Sequence, residues 1–120
     1  MEIALWIVSG LLAALYLLVG AVKFARGRAL RARMGWVEDF PDPAVRFIGL
    51  AESAGAIGVV APWAADVAPV LTPVAAAGLV LLQLLAIRVH VRRGETSQLG
   101  INVLLLLMAA FVAVGRFAGW

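Results

Sequence analysis

The sequence predicts an all-α integral membrane protein, a bundle of four transmembrane helices with both termini outside (N-out/C-out). Three observations carry this. The 120 residues are 64% hydrophobic with a mean hydropathy of +1.03, against roughly 45–50% apolar content in a soluble domain. Apolar runs long enough to cross a bilayer, at least about 17 residues, recur at about 3–22, 44–61, 70–89 and 99–117. Basic residues collect in alternate gaps between these runs, as they do on the cytoplasmic side of membrane proteins. The chain is read as one domain, residues 1–120, since no composition shift divides it.

Each run should be helical, because backbone groups in hydrocarbon must satisfy one another. The first begins "MEIALW", with an acid where a signal peptide carries its basic region, and its positive cluster follows the apolar run. It is therefore expected to be a retained anchor. Pro41 and Pro43 precede the second run, and Pro62 and Pro69 bracket the turn "PWAADVAP" that ends it. Pro73 falls in the first turn of the third, where a missing N–H costs little, and Gly94 follows that run. Lys23, Arg26, Arg28, Arg31, Arg33 and Arg46 flank the first connection, and Arg88, Arg92 and Arg93 flank the third. The second carries only Asp66. This bias puts the first and third connections in the cytoplasm. Trp6, Trp63 and Trp120 then lie at the outer interface and Trp36 at the inner one.

Composition also excludes. With no cysteine there are no disulfides, thiol catalysts, zinc–thiolate sites or iron–sulfur ligands. The single histidine, His90, cannot by itself supply bis-histidine haem ligation or a multi-histidine metal site. The net charge of +3 does not make a nucleic-acid binder, because the basic residues lie in short gaps rather than over a soluble face. No metal site, catalytic residue or nucleic-acid partner is expected.

Helical periodicity gives three of the spans a small or polar face. Ser9, Ala13, Tyr16, Gly20 and Lys23 share one side of the first. Thr72, Ala76, Gln83, Ala86 and His90 do so in the third, and Asn102, Leu106, Ala109, Ala113 and Arg116 in the fourth. The second span carries small pairs four apart: Gly49 with Ser53, Ala51 with Gly55, Ala54 with Gly58. Membrane helices associate through close packing and interhelical hydrogen bonds, so these faces should turn inward or meet a partner.

Depth follows from a rise of about 1.5 Å per residue. Glu52 lies eight residues beyond Ala44, about 12 Å into a half-bilayer of about 15 Å. Tyr16 and Gln83 lie roughly 9 Å in from the same side, with Lys23, His90 and Asn102 shallower. These six residues, with Ser53 beside Glu52, gather in the inner half, whereas the outer half holds Ser9, Thr72 and Arg116. That asymmetry suggests a pocket opening toward the cytoplasm. Arg116, beside Trp120, is expected to snorkel as an interfacial anchor.

Glu52 is the residue that most needs explaining. A carboxylate near the bilayer centre costs at least about 2.5–3.5 kcal/mol on insertion scales. It must face inward, pair with a cation such as Lys23, or take up a proton. The sequence leaves two readings: a hydrogen-bonded tie between spans, or a proton carrier and anchor for a polar ligand head.

The stretches "LLVGAVKF", "IGLAESAGAIGVVAP", "AAAGLVLLQLLAIRVHVRRGE" and "NVLLLLMAAFVAVGRF" resemble the DoxX-like family of small four-helix bacterial membrane proteins over nearly the whole chain. The resemblance implies a multi-pass protein of the bacterial cytoplasmic (inner) membrane. Lys23, Glu52, His90, Asn102 and Arg116 match positions where that family tends to place polar residues. The family includes membrane subunits of oxidoreductase complexes as well as an assembly chaperone. The first expectation is accordingly a non-catalytic subunit or anchor of a redox complex, with a quinone- or lipid-sized pocket around Glu52, a non-covalent quinone as cofactor, and the bilayer and redox proteins as partners. The alternatives are an assembly factor without chemistry of its own and, third, a small proton-coupled exporter. A homodimer is left open.

Overall fold

The computed structural model describes residues 1–32 and 34–119, apart from the side chains of Arg31, Ala32, Glu38 and Gln98. Arg33 of the basic cluster and Trp120 of the outer aromatic group lie outside the described residues. Helix α1 runs Glu2–Arg26, α2 Asp42–Gly58, α3 Ala61–Ala65, α4 Leu71–Arg93 and α5 Leu99–Ala118. Short 3-10 turns at Gly27–Ala32, Gly35–Asp39 and Thr96–Gln98 connect them. Among the described residues, four spans are long and apolar enough to cross a membrane: Glu2–Leu30, Asp42–Ala65, Leu71–Arg93 and Leu99–Ala118. The protein is a multi-pass membrane protein built as a four-helix bundle.

The helices outrun the apolar stretches at the basic end. Lysine and arginine are good helix formers, so α1 and α4 continue through their terminal charges until a glycine takes a conformation other residues avoid. These are Gly27 (φ 52°) and Gly94 (φ 72°). The second span differs from the expected single helix. It breaks after Gly58 and restarts at Ala61, because Pro62 has no N–H to give the carbonyl four residues back and its ring crowds that turn.

The chain winds up and down as two hairpins, α1 with α2 and α4 with α5, closed by α1 against α5 and α2 against α4. The tightest approach is backbone to backbone. A Cβ on Gly49 would stand 2.5 Å from both Gly20 O and Phe24 N, and one on Gly20 would stand 2.7 Å from Gly49 O. A Cβ on Gly55 would meet Leu79 at 2.6 Å, and one on Gly58 would meet Ala75 Cβ at 2.6 Å. The glycines of α2 are thus occupied within the chain. Outward surfaces carry Leu11, Leu18, Phe47, Leu81, Leu104 and Leu107, all exposed for contact with acyl chains.

The central core is a layer of Leu12, Ala56, Ala76, Leu79, Ala109 and Val112, each almost completely buried. At the basic end a smaller cluster of Leu30, Val37 and Val45, with Trp36 and Phe40 against it, fixes the first connection beneath the bundle. Arg46 ties that connection to α1. Its Nη1 donates to the carbonyls of Phe24 (2.8 Å) and Ala25 (3.1 Å), while its Nε donates to Asp42 (2.7 Å). A cation here satisfies carbonyls that the end of a helix leaves unpaired.

Candidate functional site

A cavity of about 710 Å³ lies at the basic end of the bundle, within the range of ligand pockets. Tyr16 and Lys23, two turns apart, enter its wall from α1; Glu52 comes from α2; Gln83 and His90, again two turns apart, from α4; and Asn102 from α5. All six residues singled out in the sequence therefore line one space. The rest of the wall is mostly apolar.

Within it, Lys23 Nζ donates to Glu52 Oε1 at 2.6 Å, and the two side chains are only 13% and 7% exposed. Trp36 covers this pair, its ring centroid 5.1 Å from Nζ, and stands edge-to-face with Phe40 at 5.7 Å. The indole face attracts the ammonium through its quadrupole. Gln83 Nε2 donates to the Tyr16 hydroxyl, so each side chain fixes the other. Two buried atoms of this wall have no partner among the described residues: the acceptor Gln83 Oε1 and the donor Asn102 Nδ2. Their side chains belong to residues 6% and 7% exposed. Buried polar atoms nearly always find a hydrogen bond; these two are enclosed, on side chains that line the cavity, so a small rotation of either amide would offer its unmet atom to an occupant or to water.

A matching family decides what kind of protein this is. The family model described as the DoxX-like family matches residues 7–112. The chain belongs to the DoxX-like family. No curated protein and no solved structure matches it. In this DoxX-like protein the matched segment takes in Tyr16, Lys23, Glu52, Gln83, His90 and Asn102, and stops short of Arg116.

The floor of the cavity is where sequence reasoning was incomplete. In the sequence Trp36 reads only as a member of the interfacial belt, and nothing there marks Asp39, Phe40 or Glu95 as part of a site. Asp39 accepts from Arg93 Nη1 at 2.7 Å, and Glu95 Oε1 accepts from His90 Nδ1 at 3.0 Å. Arg93 Nε lies 3.3 Å from the same carboxylate. Asp39, Arg93, Glu95 and His90 thus form a chain of charges that ties the turn bearing Trp36 to the end of α4. The acid three residues after Trp36 and the "HVRRGE" order of charges are the only sequence signals for it, and neither specifies a partner.

The hydrogen bond from His90, then the neighbouring Arg93, hold the Glu95 carboxyl below its ordinary value of 4.5. A depressed acid stabilises the folded state above its unfolded value and ceases to as the pH falls through the folded one. Wild type is therefore expected to unfold at a higher temperature than Glu95→Gln at pH 6. The difference should shrink to nothing as the pH is taken well below 4.5. Thermal scans in detergent at stepped pH check this, and a gap independent of pH would refute it.

Arg116 is held inside the protein: its side chain is 1% exposed and does not extend into open solvent. Nη1 donates to Glu2 Oε1 at 3.0 Å, and the guanidinium lies 4.3 Å from the Trp63 ring and 5.2 Å from the Trp6 ring. An acid and two indole faces supply in place what the cation would otherwise seek in water. Glu2, which the sequence reading used only as evidence against a signal peptide, is its counter-ion. Ser9 and Thr72 are fully buried between this end and the core layer, and their hydroxyls have no partner among the described residues.

Proposed function

We propose that this DoxX-like protein is a membrane subunit of a redox complex, and that its cavity holds the head of a quinone. The observation that carries the reading is one largely apolar cavity lined by the Lys23–Glu52 pair and by Gln83 and Asn102, two buried amides that each keep one hydrogen-bonding atom without a partner among the described residues. A quinone brings two-electron, two-proton chemistry when bound, and a partner protein supplies the electrons. Asn102 and Lys23 donate to carbonyl oxygens, and Gln83 Oε1 accepts from a hydroxyl of the reduced form. Glu52, hydrogen-bonded to Lys23, carries the proton between the head and the aqueous side. Trp36 and Phe40 exclude water from below.

The charge bias supports placing the cavity on the cytoplasmic side of a bacterial inner membrane, with both termini outside. Two observations bear on the alternatives. The buried apolar layer of Leu12, Ala76, Leu79, Ala109 and Val112 stands along the helices between the cavity and the Arg116 end, which favours a site reached from one side over an exporter's path. The glycines of α2 that an assembly factor would offer to clients are packed against α1 and α4.

The test is binding of a short-tailed benzoquinone to the purified protein, read by tryptophan quenching. Asn102→Ala removes a donor that has no protein partner, so the fold should stand while affinity falls about tenfold, the equivalent of one hydrogen bond of about 1.4 kcal/mol. Failure of the wild type to bind any benzo- or naphthoquinone ends the reading.

A further inference from the structure

A second hollow, of about 330 Å³, lies on the seam between α2 and α4. Ala51, Ala54 and Gly55 form one side of it and Ala75, Gly78 and Leu79 the other. It exists because the helices touch at Gly55 and Leu79 while the flanking side chains are too short to fill the outer part of the seam. Ala54 and Gly78 are exposed on the membrane side, and a Cβ on Gly78 would meet nothing within 4 Å. A small-residue seam alone says nothing about a ligand.

What gives it meaning is where it ends. Leu82 belongs to the wall of both spaces. On α2, Ala51 and Gly55 flank Glu52, and on α4, Leu82 adjoins Gln83. The hollow therefore begins at the level of the charged pair and runs from there toward the apolar middle of the bilayer. Gln83, with one of the two unpaired amide atoms, stands next to Leu82 on the cavity side, and Asn102 lies farther along the cavity wall. A chamber lined by polar side chains, divided by the one side chain of Leu82 from a narrow apolar trough open to the membrane, matches an amphiphile with one flexible hydrocarbon chain once that side chain turns aside.

We propose that the ligand is such an amphiphile, its head in the cavity and its single isoprenoid or acyl tail in the α2–α4 seam, and that it enters sideways from the bilayer past Leu82. This rests on the quinone-head reading and adds the tail, the seam and the route. Leu82 controls the passage, since its side chain is the partition between the two spaces. Gly78 is the position that keeps the trough clear.

Two probes with the same benzoquinone head separate the tail from the head, one bearing a ten-carbon chain and one a methyl group. The full-length protein in nanodiscs is titrated with each, as wild type and as Gly78→Leu. Open space at Gly78 lets the leucine enter without displacing backbone, and an unchanged melting temperature verifies it. The expected result is at least a tenfold loss of affinity for the tailed probe in Gly78→Leu, with the methyl probe unaffected. Equal affinities of wild type and variant for the tailed probe overturn the seam while leaving the head site standing. Should neither probe bind the wild type, the quinone reading falls. The seam is then judged by photolabelling with a diazirine-bearing fatty acid: label concentrated on Ala75, Gly78 and Leu82 retains it, and label spread evenly over the lipid-facing residues of all four spans overturns it.

Discussion

Gly49→Val is expected to stop α1 and α2 from closing and to leave little folded protein in detergent. Every heavy atom added at this position starts from a Cβ that would stand 2.5 Å from Gly20 O and from Phe24 N, and 2.8 Å from Lys23 Cβ. Two of those three are backbone, and backbone cannot swing aside as a side-chain tip can. The helices must separate or shear, which exposes the hydrogen bond between Lys23 and Glu52 a few residues away. Overpacking a close-packed interior costs about 1–3 kcal/mol, occasionally more, and this site belongs at the upper end because both helices are blocked at once. Gly100→Val provides the contrast, since a Cβ there meets nothing within 4 Å. Thermal unfolding of the two variants side by side is the measurement. Equal melting temperatures would show that the α1–α2 contact does not hold the bundle together.

The second large effect concerns the buried pair. Lys23→Met alone and Glu52→Met alone should each destabilise the protein by about 3 kcal/mol, because each leaves one ionisable group without its partner away from water. The double variant Lys23→Met/Glu52→Met should recover that loss, since an apolar pair of similar volume needs neither desolvation nor a partner. A double-mutant cycle built from the three melting curves gives the coupling directly. If the pair is only a tie between α1 and α2, the double variant behaves as wild type in every assay. If Glu52 carries protons for a bound head and Lys23 orients it, the double variant is as stable as wild type yet binds no quinone. Stability and binding part company only in the second case. The recovered fold ensures that lost binding cannot be ascribed to unfolding.

Much of this was legible along single helices. A 3.6-residue repeat lines up Tyr16 with Lys23, and Gln83 with His90, whatever the helices pack against. Counting residues from the basic flanks put these polar groups toward the same end of their helices, and they do line one cavity with Glu52 and Asn102. Arg116 and Trp36 were harder, for one shared reason. The depth of a side chain follows from its own helix, but its burial depends on what the neighbouring elements place over it. Arg116 is buried because Glu2, Trp6 and Trp63 arrive from two other elements of the fold. Trp36 covers Lys23 because an Arg93–Asp39 bond draws its turn beneath the bundle.

By itself, then, the sequence determined that this is a membrane protein of four helical spans, about where each span lies, and which face of it is polar. Those properties depend on hydrophobicity and on the pitch of one helix, both local. Only the tertiary structure decided that Lys23 rather than another cation meets Glu52, that Gly49 is spent on Gly20 rather than on a partner, and that a hollow lies along the seam between α2 and α4. Pairings and hollows arise from how far apart two helix surfaces stand, a quantity that the packing of all four helices sets together and no single segment encodes.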